Sequence, residues 1–249
     1  MFHPRVALAS LSGASDAAWA REAETFVGAA FLGGIALCDR SRAAAREMVA
    51  DRDRSEFLPP DPIRWIDDQL TALDDADLRP GVNVRSTDVE RLGAAAEVCA
   101  RHDAILEVNA HCRQDELRAV GCGESLLADT DRLRTFVRES AATGAATSVK
   151  VRAEVDGVDL GATARAVADA GADLIHVDAM DSESVIRTVA DADLHVIANN
   201  GVRDRASALE YLEYGADAVS VGRPSDDPRV LRRVRDAVAS ADRVGLHPE

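Results

Sequence analysis

Short apolar runs alternate with longer amphipathic stretches along the whole chain. Runs rich in Val, Ile, Leu and Ala predict eight β-strands, at 5–10, 28–37, 80–85, 104–110, 147–152, 172–178, 194–199 and 216–222. Helical spacing of apolar positions predicts helices at 88–102, 129–142, 159–170, 182–191, 204–214 and 227–240. Several helical stretches open on a residue that favours the N-cap position, namely Ser15 with Asp16, Asp129, Asp159 and Asp204.

Strands that alternate with helices indicate a parallel sheet, and nearly continuous apolar strands indicate that both of its faces are buried. Eight such strands predict an α/β fold, a single (β/α)₈ TIM barrel, with a doubly wound open sheet as the alternative. Prolines at 59, 60 and 62 interrupt segment 51–78, so we predict an irregular insertion there, with a short helix around 65–73. The whole chain, 1–249, is expected to form one domain.

Composition limits the partners and the location. The chain carries 44 acidic against 29 basic residues, a net charge of -15, and this field repels polyanions such as nucleic acids. Four cysteines form no CxxC pair, no signal-peptide pattern precedes them, and no apolar run reaches the ~18 residues of a membrane span. We therefore expect reduced thiols, a cytoplasmic location and no membrane partner. Abundant Ala, Asp and Arg are typical of a salt-adapted, halophilic proteome.

Only one of the 29 basic residues is a lysine, Lys150. The other basic residues are arginines, so an ammonium at this position is either a chance survivor or a chemical requirement.

Polar residues concentrate at the predicted carboxyl ends of six strands, the edge at which (β/α)₈ barrels bind their ligands. They are Asn83, Arg85, Glu107, Asn109, His111, Cys112, Lys150, Arg152, His176, Asp178, Asn199, Asn200, Gly201, Gly222 and Arg223. The turns in IANNGV and VSVGRP, each followed by a helix, predict a phosphate cradle of backbone N–H groups, with Arg223 as its charge partner. Alternatively, the glycines only relieve tight turns. No metal site is predicted.

Six segments occur in a fixed order at the predicted strand spacing: EVNAHCRQ, VGCGESLL, TSVKVR, AGADLIHVD, VIANNGV and GADAVSVGRP. Together they resemble the FMN-binding barrel of the tRNA-dihydrouridine synthases, with the dihydroorotate dehydrogenases as more distant relatives. The resemblance covers roughly residues 5–240 and is weakest before residue 80. It implies FMN across the strand ends and a reduced nicotinamide, NAD(P)H, as the electron donor.

The resemblance also implies roles for single residues. Cys112 is similar to the general-acid cysteine that protonates a uracil ring, and a nearby Arg or Lys can tune such a thiol. Lys150 is similar to the lysine that stabilises negative charge on the reduced flavin. The other implied cofactor-binding residues are Asn199, Asn200, Gly201, Gly222 and Arg223, and the implied substrate-binding residues are Asn109, Arg152, His176 and Asp178. Cys122 stands where the family has Gly or Ser and is interpreted as structural.

The sequence departs from the family pattern at several sites. Asp178 stands where the family has a histidine, and residues 9–11 read Ala-Ser-Leu instead of Ala-Pro-Met. Residues 199–201 lack the acid of the family's Asn-Gly-Asp, and residues 111–113 replace its Gly-Cys-Pro. Family members carry a C-terminal helical domain that holds tRNA, whereas this chain is expected to end just after the eighth helix.

Four functions stay open on these grounds. The first is an FMN-dependent reductase of a uracil-type C=C bond, with tRNA as a possible substrate. The second is a small-molecule flavin oxidoreductase of the dihydroorotate or dihydropyrimidine dehydrogenase type, which acts on a free pyrimidine-like ring. The third is a non-redox phosphate-binding barrel, and the fourth a flavin-binding protein without activity. A basic patch at Arg229, Arg232, Arg233 and Arg235 is interpreted as a solvated, salt-bridged helix face rather than an RNA site.

Overall fold

The computed structural model describes residues 1–51 and 55–243. Eight parallel strands close into a barrel in sequence order, so the (β/α)₈ prediction is confirmed and the open sheet is wrong. Every strand lies where the apolar pattern predicts it, with ends displaced by at most two residues. The strands are β1 (Val6–Leu8), β2 (Ala29–Ala36), β3 (Arg79–Arg85), β4 (Ile105–Asn109), β5 (Ala146–Arg152), β6 (Leu174–Asp178), β7 (His195–Asn199) and β8 (Ala218–Val221).

Helices cover the outside of the barrel. They are α1 (Ala17–Ala23), α2 (Asp39–Asp51), α3 (Pro62–Thr71), α4 (Val89–Arg101), α5 (Asp115–Ala119), α6 (Glu124–Leu127), α7 (Thr130–Ala142), α8 (Leu160–Ala168), α9 (Val185–Ala190), α10 (Arg205–Glu213) and α11 (Pro228–Arg243). A 3₁₀ turn, Arg223–Asp226, follows β8. The side chains of Asp16, Asp129, Asp159 and Asp204 accept hydrogen bonds at the N-termini of α1, α7, α8 and α10.

Segment 51–78 contains a helix in its middle. The helix α3 begins with Pro62, and the Asp61 carboxylate accepts hydrogen bonds from the N–H groups of Ile63 and Arg64. Proline suits the first helical turn, where no N–H donor is required. Residues 52–54 of the predicted insertion lie outside the described residues.

The barrel interior changes character along each strand. Residues two apart share a face, so β4 presents Ile105, Glu107 and Asn109 inward and β6 presents Leu174, His176 and Asp178 inward. The first member of each series belongs to an apolar cluster at the amino end of the barrel. The second is buried and polar, and the third reaches the carboxyl rim. The rim therefore stands on a polar layer with an apolar floor beneath it.

One pH-dependent contact joins two outer helices. His102, at the C-terminus of α4, places its Nδ1 2.9 Å from Asp74 Oδ1 and its Nε2 3.0 Å from Asp67 Oδ1, beside α3. Partial burial disfavours the imidazolium, but the two carboxylates outweigh burial and raise the pKa of His102 above its ordinary value.

We expect His102→Gln to remove a pH-dependent part of stability. Since the folded-state pKa is raised, the contact stabilises fully below pH ~6 and is lost as the pH rises through the folded-state pKa. Urea unfolding of both proteins between pH 5.5 and about 9 measures the difference in free energy. That difference is expected to shrink as the pH rises, and a constant difference would contradict the ion-pair explanation.

Candidate functional site

A two-lobed cavity opens at the carboxyl ends of the strands. One lobe, of about 690 Å³, is lined by Asn109, Cys112 and Arg113, and we call it the cysteine lobe. The other, of about 500 Å³, is lined by Gly201 and Gly222, and we call it the glycine lobe. Both volumes lie in the range of small-molecule sites, about 300–1,000 Å³. The lobes adjoin, because six residues line both of them: Ser10, Leu11, His111, Asp178, Met180 and Arg223.

The glycine lobe gathers all the residues that the sequence assigns to cofactor binding. They are Lys150, Asn199, Asn200, Gly201, Gly222 and Arg223. They come from β5 and from the turns that follow β7 and β8, where barrels of this fold often bind phosphate. The lobe thus joins the glycine turns after β7 and β8 to the lone lysine of the chain.

The two glycines differ in what requires them. Gly201 has a φ of +69°, a left-handed conformation that favours glycine whatever surrounds it. Gly222 has a φ of -92°, outside the left-handed region, and a Cβ built on it would meet no atom within 4 Å. A left-handed backbone conformation therefore explains Gly201 but not Gly222. The open space at Gly222 belongs to the glycine lobe, and a side chain there would fill it.

Lys150 is buried, with 2% of its surface exposed, and its ammonium makes no hydrogen bond to any of the described residues. On the sheet it lies between Asn109 of β4 and His176 of β6. Its charge interacts with that of the buried Glu107, but an ammonium that lines a cavity without a hydrogen bond to the described residues is suited to an anionic or carbonyl-bearing ligand. The buried lysine and the glycine turns of this lobe together fit FMN. Gly222 and Arg223 would hold the phosphate of FMN, and Lys150 would contact its ring.

Cys112 lies in the loop after β4 and lines the cysteine lobe with 7% of its surface exposed. Its N–H donates to Asn109 Oδ1 at 3.2 Å, and its carbonyl accepts from the N–H of Glu124 at 2.9 Å. Its Sγ lies 4.0 Å from Nδ1 of His111. The backbone around this thiol is therefore held at both ends, which fixes where the sulfur points.

Gly123 is a site residue to which sequence reasoning gave no role. Its φ is +62°, and a Cβ built on it would lie 2.1 Å from the carbonyl oxygen of Cys112. No side chain fits between the two loops, so the glycine permits the close approach that holds Cys112. Its position in the Gly-rich segment VGCGESLL was the only signal for this role in the sequence.

Asn109 does not offer its amide freely to a substrate. Its Oδ1 accepts from the N–H groups of His111 and Cys112, and its Nδ2 donates to Asn83 Oδ1 at 2.8 Å. Both ends of the amide are engaged by the protein, so Asn109 acts here as a positioning residue for the Cys112 loop. Asn109 also lines the cysteine lobe, and its contact with the pyrimidine or the flavin edge stays a prediction.

A buried hydrogen-bonded network underlies both lobes. Asn83 donates to Glu107 Oε1 at 2.8 Å, and Glu107 Oε2 lies 2.7 Å from Nδ1 of His176. Nε2 of His176 lies 2.8 Å from Ser220 Oγ, which also accepts from Asn199 Nδ2 at 2.8 Å. The network therefore runs from the Cys112 loop, through Asn109, to the edge of the glycine lobe.

His176 lies within this network and lines neither lobe. Its side chain is 0% exposed and both ring nitrogens are engaged by the protein, so the predicted substrate contact is wrong in this structure. Burial lowers the pKa of His176, although Glu107 opposes this. Burial raises the pKa of Glu107, whereas the neighbouring His176 and Lys150 lower it. The lowering prevails. Glu107 therefore stays a carboxylate beneath the rim.

Arg152 and Asp178 are paired across β5 and β6 and line the cysteine lobe, as predicted substrate residues would. Arg152 forms an ion pair with Glu124 at 3.0 Å. Asp178 accepts from Asn200 Nδ2 at 2.7 Å and lies between the two lobes. Asn200 itself adopts a φ of +94°, a rare conformation for this residue that holds its side chain on Asp178.

Arg85 of β3 is a second residue that sequence reasoning left without a role. Its Nη1 donates to Glu56 Oε2 at 2.8 Å and its Nη2 to Ser12 Oγ at 3.0 Å, with both charged side chains nearly fully buried. Burial opposes its charge, but interactions with Cys112 and Glu56 outweigh burial and raise the pKa of Arg85. The guanidinium thus lies beside the thiol as a fixed cation.

Two of the four arginines of the α11 patch form ion pairs. Arg229 bonds Asp227, and Arg235 bonds Asp236 and the carbonyl of Thr25. These contacts agree with a salt-bridged face for Arg229 and Arg235, whereas Arg232 and Arg233 are exposed and form no ion pair with the described residues. Among the described helices, none is both long and apolar enough to cross a bilayer.

The fold and the rim define a (β/α)₈ barrel whose glycine turns and buried lysine fit a flavin mononucleotide. The sequence pattern of the dihydrouridine synthase family matches residues 68–243, about seven-tenths of the chain, and the chain belongs to that family. This membership supports an FMN-dependent oxidoreductase of the TIM-barrel type.

Individual relatives are distant. An uncharacterized protein from Methanocaldococcus jannaschii is 27% identical over 231 residues, which cover 88% of each chain. Among solved structures, DHODH from Eimeria tenella in complex with ferulenol is 14% identical with a TM-score of 0.69, over 99% of this chain and 84% of that one. The 3-hexulose-6-phosphate synthase from Salmonella typhimurium is 13% identical with a TM-score of 0.58, over 94% and 98%. These structural likenesses describe the fold alone.

Proposed function

We propose that the protein reduces a uracil-type C=C bond with FMN as its cofactor and Cys112 as the general acid. The observation that carries the proposal is the division of the rim. The implied cofactor residues line one lobe and the implied acid lines the adjoining lobe, with His111 and Asp178 in the wall between them. A ring in the cysteine lobe would face both a cofactor in the glycine lobe and the thiol.

When bound, FMN supplies a hydride to one carbon of the substrate ring. The protein contributes the second half of the addition, since Cys112 Sγ–H donates a proton to the neighbouring carbon and the thiolate is left behind. Hydride and proton together saturate the C=C bond. Arg85, beside the sulfur, stabilises the thiolate that the transfer creates.

The remaining residues bind and orient. Gly222 and Arg223 would receive the cofactor phosphate, and Lys150 places a fixed positive charge next to the flavin ring. Asn109 and Gly123 hold the Cys112 loop against the rim.

Colour tests the cofactor directly. The purified protein is expected to be yellow and to release FMN on denaturation. Colourless protein that takes up no added FMN would contradict the proposal and favour the non-redox phosphate-binding barrel instead.

We expect Gly222→Leu to weaken FMN binding by about a factor of 10–100, the equivalent of one charge-assisted hydrogen bond. A Cβ built on Gly222 meets no atom, so the added side chain is expected to enter the glycine lobe. Fluorescence titration with FMN measures the affinity, and thermal unfolding checks the fold. Gly222→Ala, a smaller intrusion, serves as the graded control. Equal affinity of wild type and Gly222→Leu would exclude this turn as the phosphate site.

Family membership suggests tRNA as the substrate, and the second candidate is a free pyrimidine-like ring. Loss of dihydrouridine from the total tRNA of a strain that lacks the protein would support tRNA. Anaerobic bleaching of the bound flavin by NADH or NADPH tests the proposed nicotinamide donor. The charge distribution of the chain favours the free ring, as argued next.

A further inference from the structure

Positive charge is concentrated at the cavity of an otherwise acidic protein. The two lobes are lined by six basic side chains and by one acidic side chain, Asp178. The basic ones are Arg85, Arg113, Lys150, Arg152, Arg203 and Arg223. The remainder of the chain holds 43 acidic against 23 basic residues. Such a contrast focuses anions into the cavity and away from the rest of the surface.

Carboxylates compensate this charge only in part. Glu56 bonds Arg85, and Glu124 bonds both Arg118 and Arg152. These ion pairs hold the guanidinium groups in place but do not use all of their N–H donors. The Nε–H of Arg85 is buried and makes no hydrogen bond to the described part of the chain. Arg113 is exposed at the lobe and forms no ion pair with the described residues.

A single phosphate does not account for all of these cations. In the glycine lobe, Lys150 and Arg223 are matched by a flavin and its phosphate. Arg85, Arg113 and Arg152 line the cysteine lobe instead, beside the thiol that has to face the reacting ring. The surplus donors therefore surround the substrate and not the cofactor.

We propose that the substrate is a small ring that carries an anionic group of its own, a carboxylate or a phosphate, which Arg113 and Arg85 bind in the cysteine lobe. This inference rests on the proposed function, since it names the substrate class of the same site. Planar guanidinium groups match both anions through paired, charge-assisted hydrogen bonds. An uncharged ring offers these guanidinium groups no such pair.

The electrostatics at the wall between the lobes support the same conclusion. Burial lowers the pKa of His111 well below its ordinary value, and the neighbouring Lys150, Arg85, His176 and Arg152 lower it further. The potential at this wall is therefore positive before a ligand arrives. A bound anion would oppose it and raise the pKa of His111, which gives the proposal a readout that is independent of turnover.

The same charges argue against RNA. A polyanion requires a broad basic surface, because its affinity comes from many phosphate contacts and the counterions they release. Here six basic residues line the cavity itself. In the other basic cluster, on α11, Arg229 pairs with Asp227 and Arg235 with Asp236. A small ligand can enter the positive mouth without crossing the acidic surface around it.

Matched probes test the proposal on the FMN-loaded protein. Uracil, uracil-6-carboxylate and uridine 5′-monophosphate are titrated by calorimetry, and bulk tRNA is titrated in parallel. We expect one of the anionic probes to bind about 10–100-fold more tightly than uracil, as one or two charge-assisted hydrogen bonds provide. Comparison of uracil-6-carboxylate with uridine 5′-monophosphate identifies which anion the cysteine lobe accepts. The His111 imidazole signals, followed by NMR over a pH series, are expected to shift to a higher pKa with that probe.

Variants assign the effect to the lobe. Arg113→Gln, an exposed position that leaves the fold unchanged, is expected to remove most of the preference for the anionic probe. Arg233→Gln on α11 is the matched control and is expected to keep it. Uracil binding as tightly as both anions, an unchanged preference in Arg113→Gln, or tRNA binding more tightly than either anion would each overturn the proposal.

Failure of the proposed function gives a different result. A protein that takes up no FMN disproves the cofactor, whereas the same titrations on the FMN-free protein still report an Arg113-dependent preference for the anion. Loss of that preference in a yellow, FMN-loaded protein disproves only the substrate class.

Discussion

Replacement of Cys112 by alanine is expected to lower turnover of a uracil-type substrate by a factor of about 10²–10⁴, the range in which a positioned acid contributes. FMN binding and the reduction of the flavin by its donor are expected to persist, because Cys112 lines the cysteine lobe and not the glycine lobe. Single-turnover oxidation of the reduced protein by substrate isolates the step in which the proton is used. Flavin released on denaturation measures cofactor content.

Cys122 provides the matched control. It packs in the same small cluster as Cys112 and is 1% exposed, but it lines neither lobe. Cys122→Ala is therefore expected to retain turnover. Equal losses in the two variants would point to damage of the cluster, and full activity in Cys112→Ala would disprove the general acid.

Thiol reagents cannot replace these substitutions. Burial disfavours the thiolate of Cys38, but hydrogen bonds from Ser41 and Thr87 outweigh burial and lower the pKa of Cys38 to about 6. Its sulfur lies 3.2 Å from Ser41 Oγ and 3.3 Å from Thr87 Oγ1. Cys38 is thus a thiolate at neutral pH, and a reagent that reaches it would modify the protein outside the proposed acid.

Glu107→Ala is expected to destabilise the fold by about 3–5 kcal/mol, the usual cost of removing one partner of a buried charged pair, because it removes the carboxylate whose charge opposes that of buried Lys150. The carboxylate accepts from Asn83, from Ser148 at 3.3 Å and from His176, all inside the barrel. Its loss leaves these buried donors unpaired. Urea unfolding measures the change.

Two controls sharpen this result. Glu97→Ala, on the exposed face of α4, is expected to change stability by less than about 0.5 kcal/mol. In addition, the pKa of Glu107 is lowered in the folded state, so its stabilisation is present above pH ~4.5 and is lost as the pH falls through the folded-state pKa. Similar effects of the two substitutions would show that the network does not stabilise the barrel.

The sequence predicted the barrel because its signals are local. Alternating apolar runs and glycine turns lie within single strands, and Asp129, Asp159 and Asp204 mark helix starts at short range. The helix α2 was missed because its stretch, Asp39–Asp51, opens without the N-cap signal used elsewhere and is rich in alanine, so its apolar face is weakly marked.

The contents of the rim were predictable for the glycine lobe and less so elsewhere. Lys150, Gly222 and Arg223 stand at strand ends, and their position alone brings them together. The partners of Arg85 and His176 could not be read in this way, since Glu56 is 29 residues from Arg85 and Glu107 is 69 residues from His176. Alternation places a residue inside the barrel, but only packing decides whether it meets the cavity or another side chain.

The lone lysine gives this protein a simple chemical probe. Besides the terminal amine of Met1, Lys150 is the only primary amine in the chain. An acylating reagent therefore has two targets, one exposed at the start of the chain and one reached through the glycine lobe. After arginine-specific digestion, the ratio of acylation at the two amines reports how often that lobe is filled. Ligand occupancy can thus be measured by mass spectrometry without any engineered label.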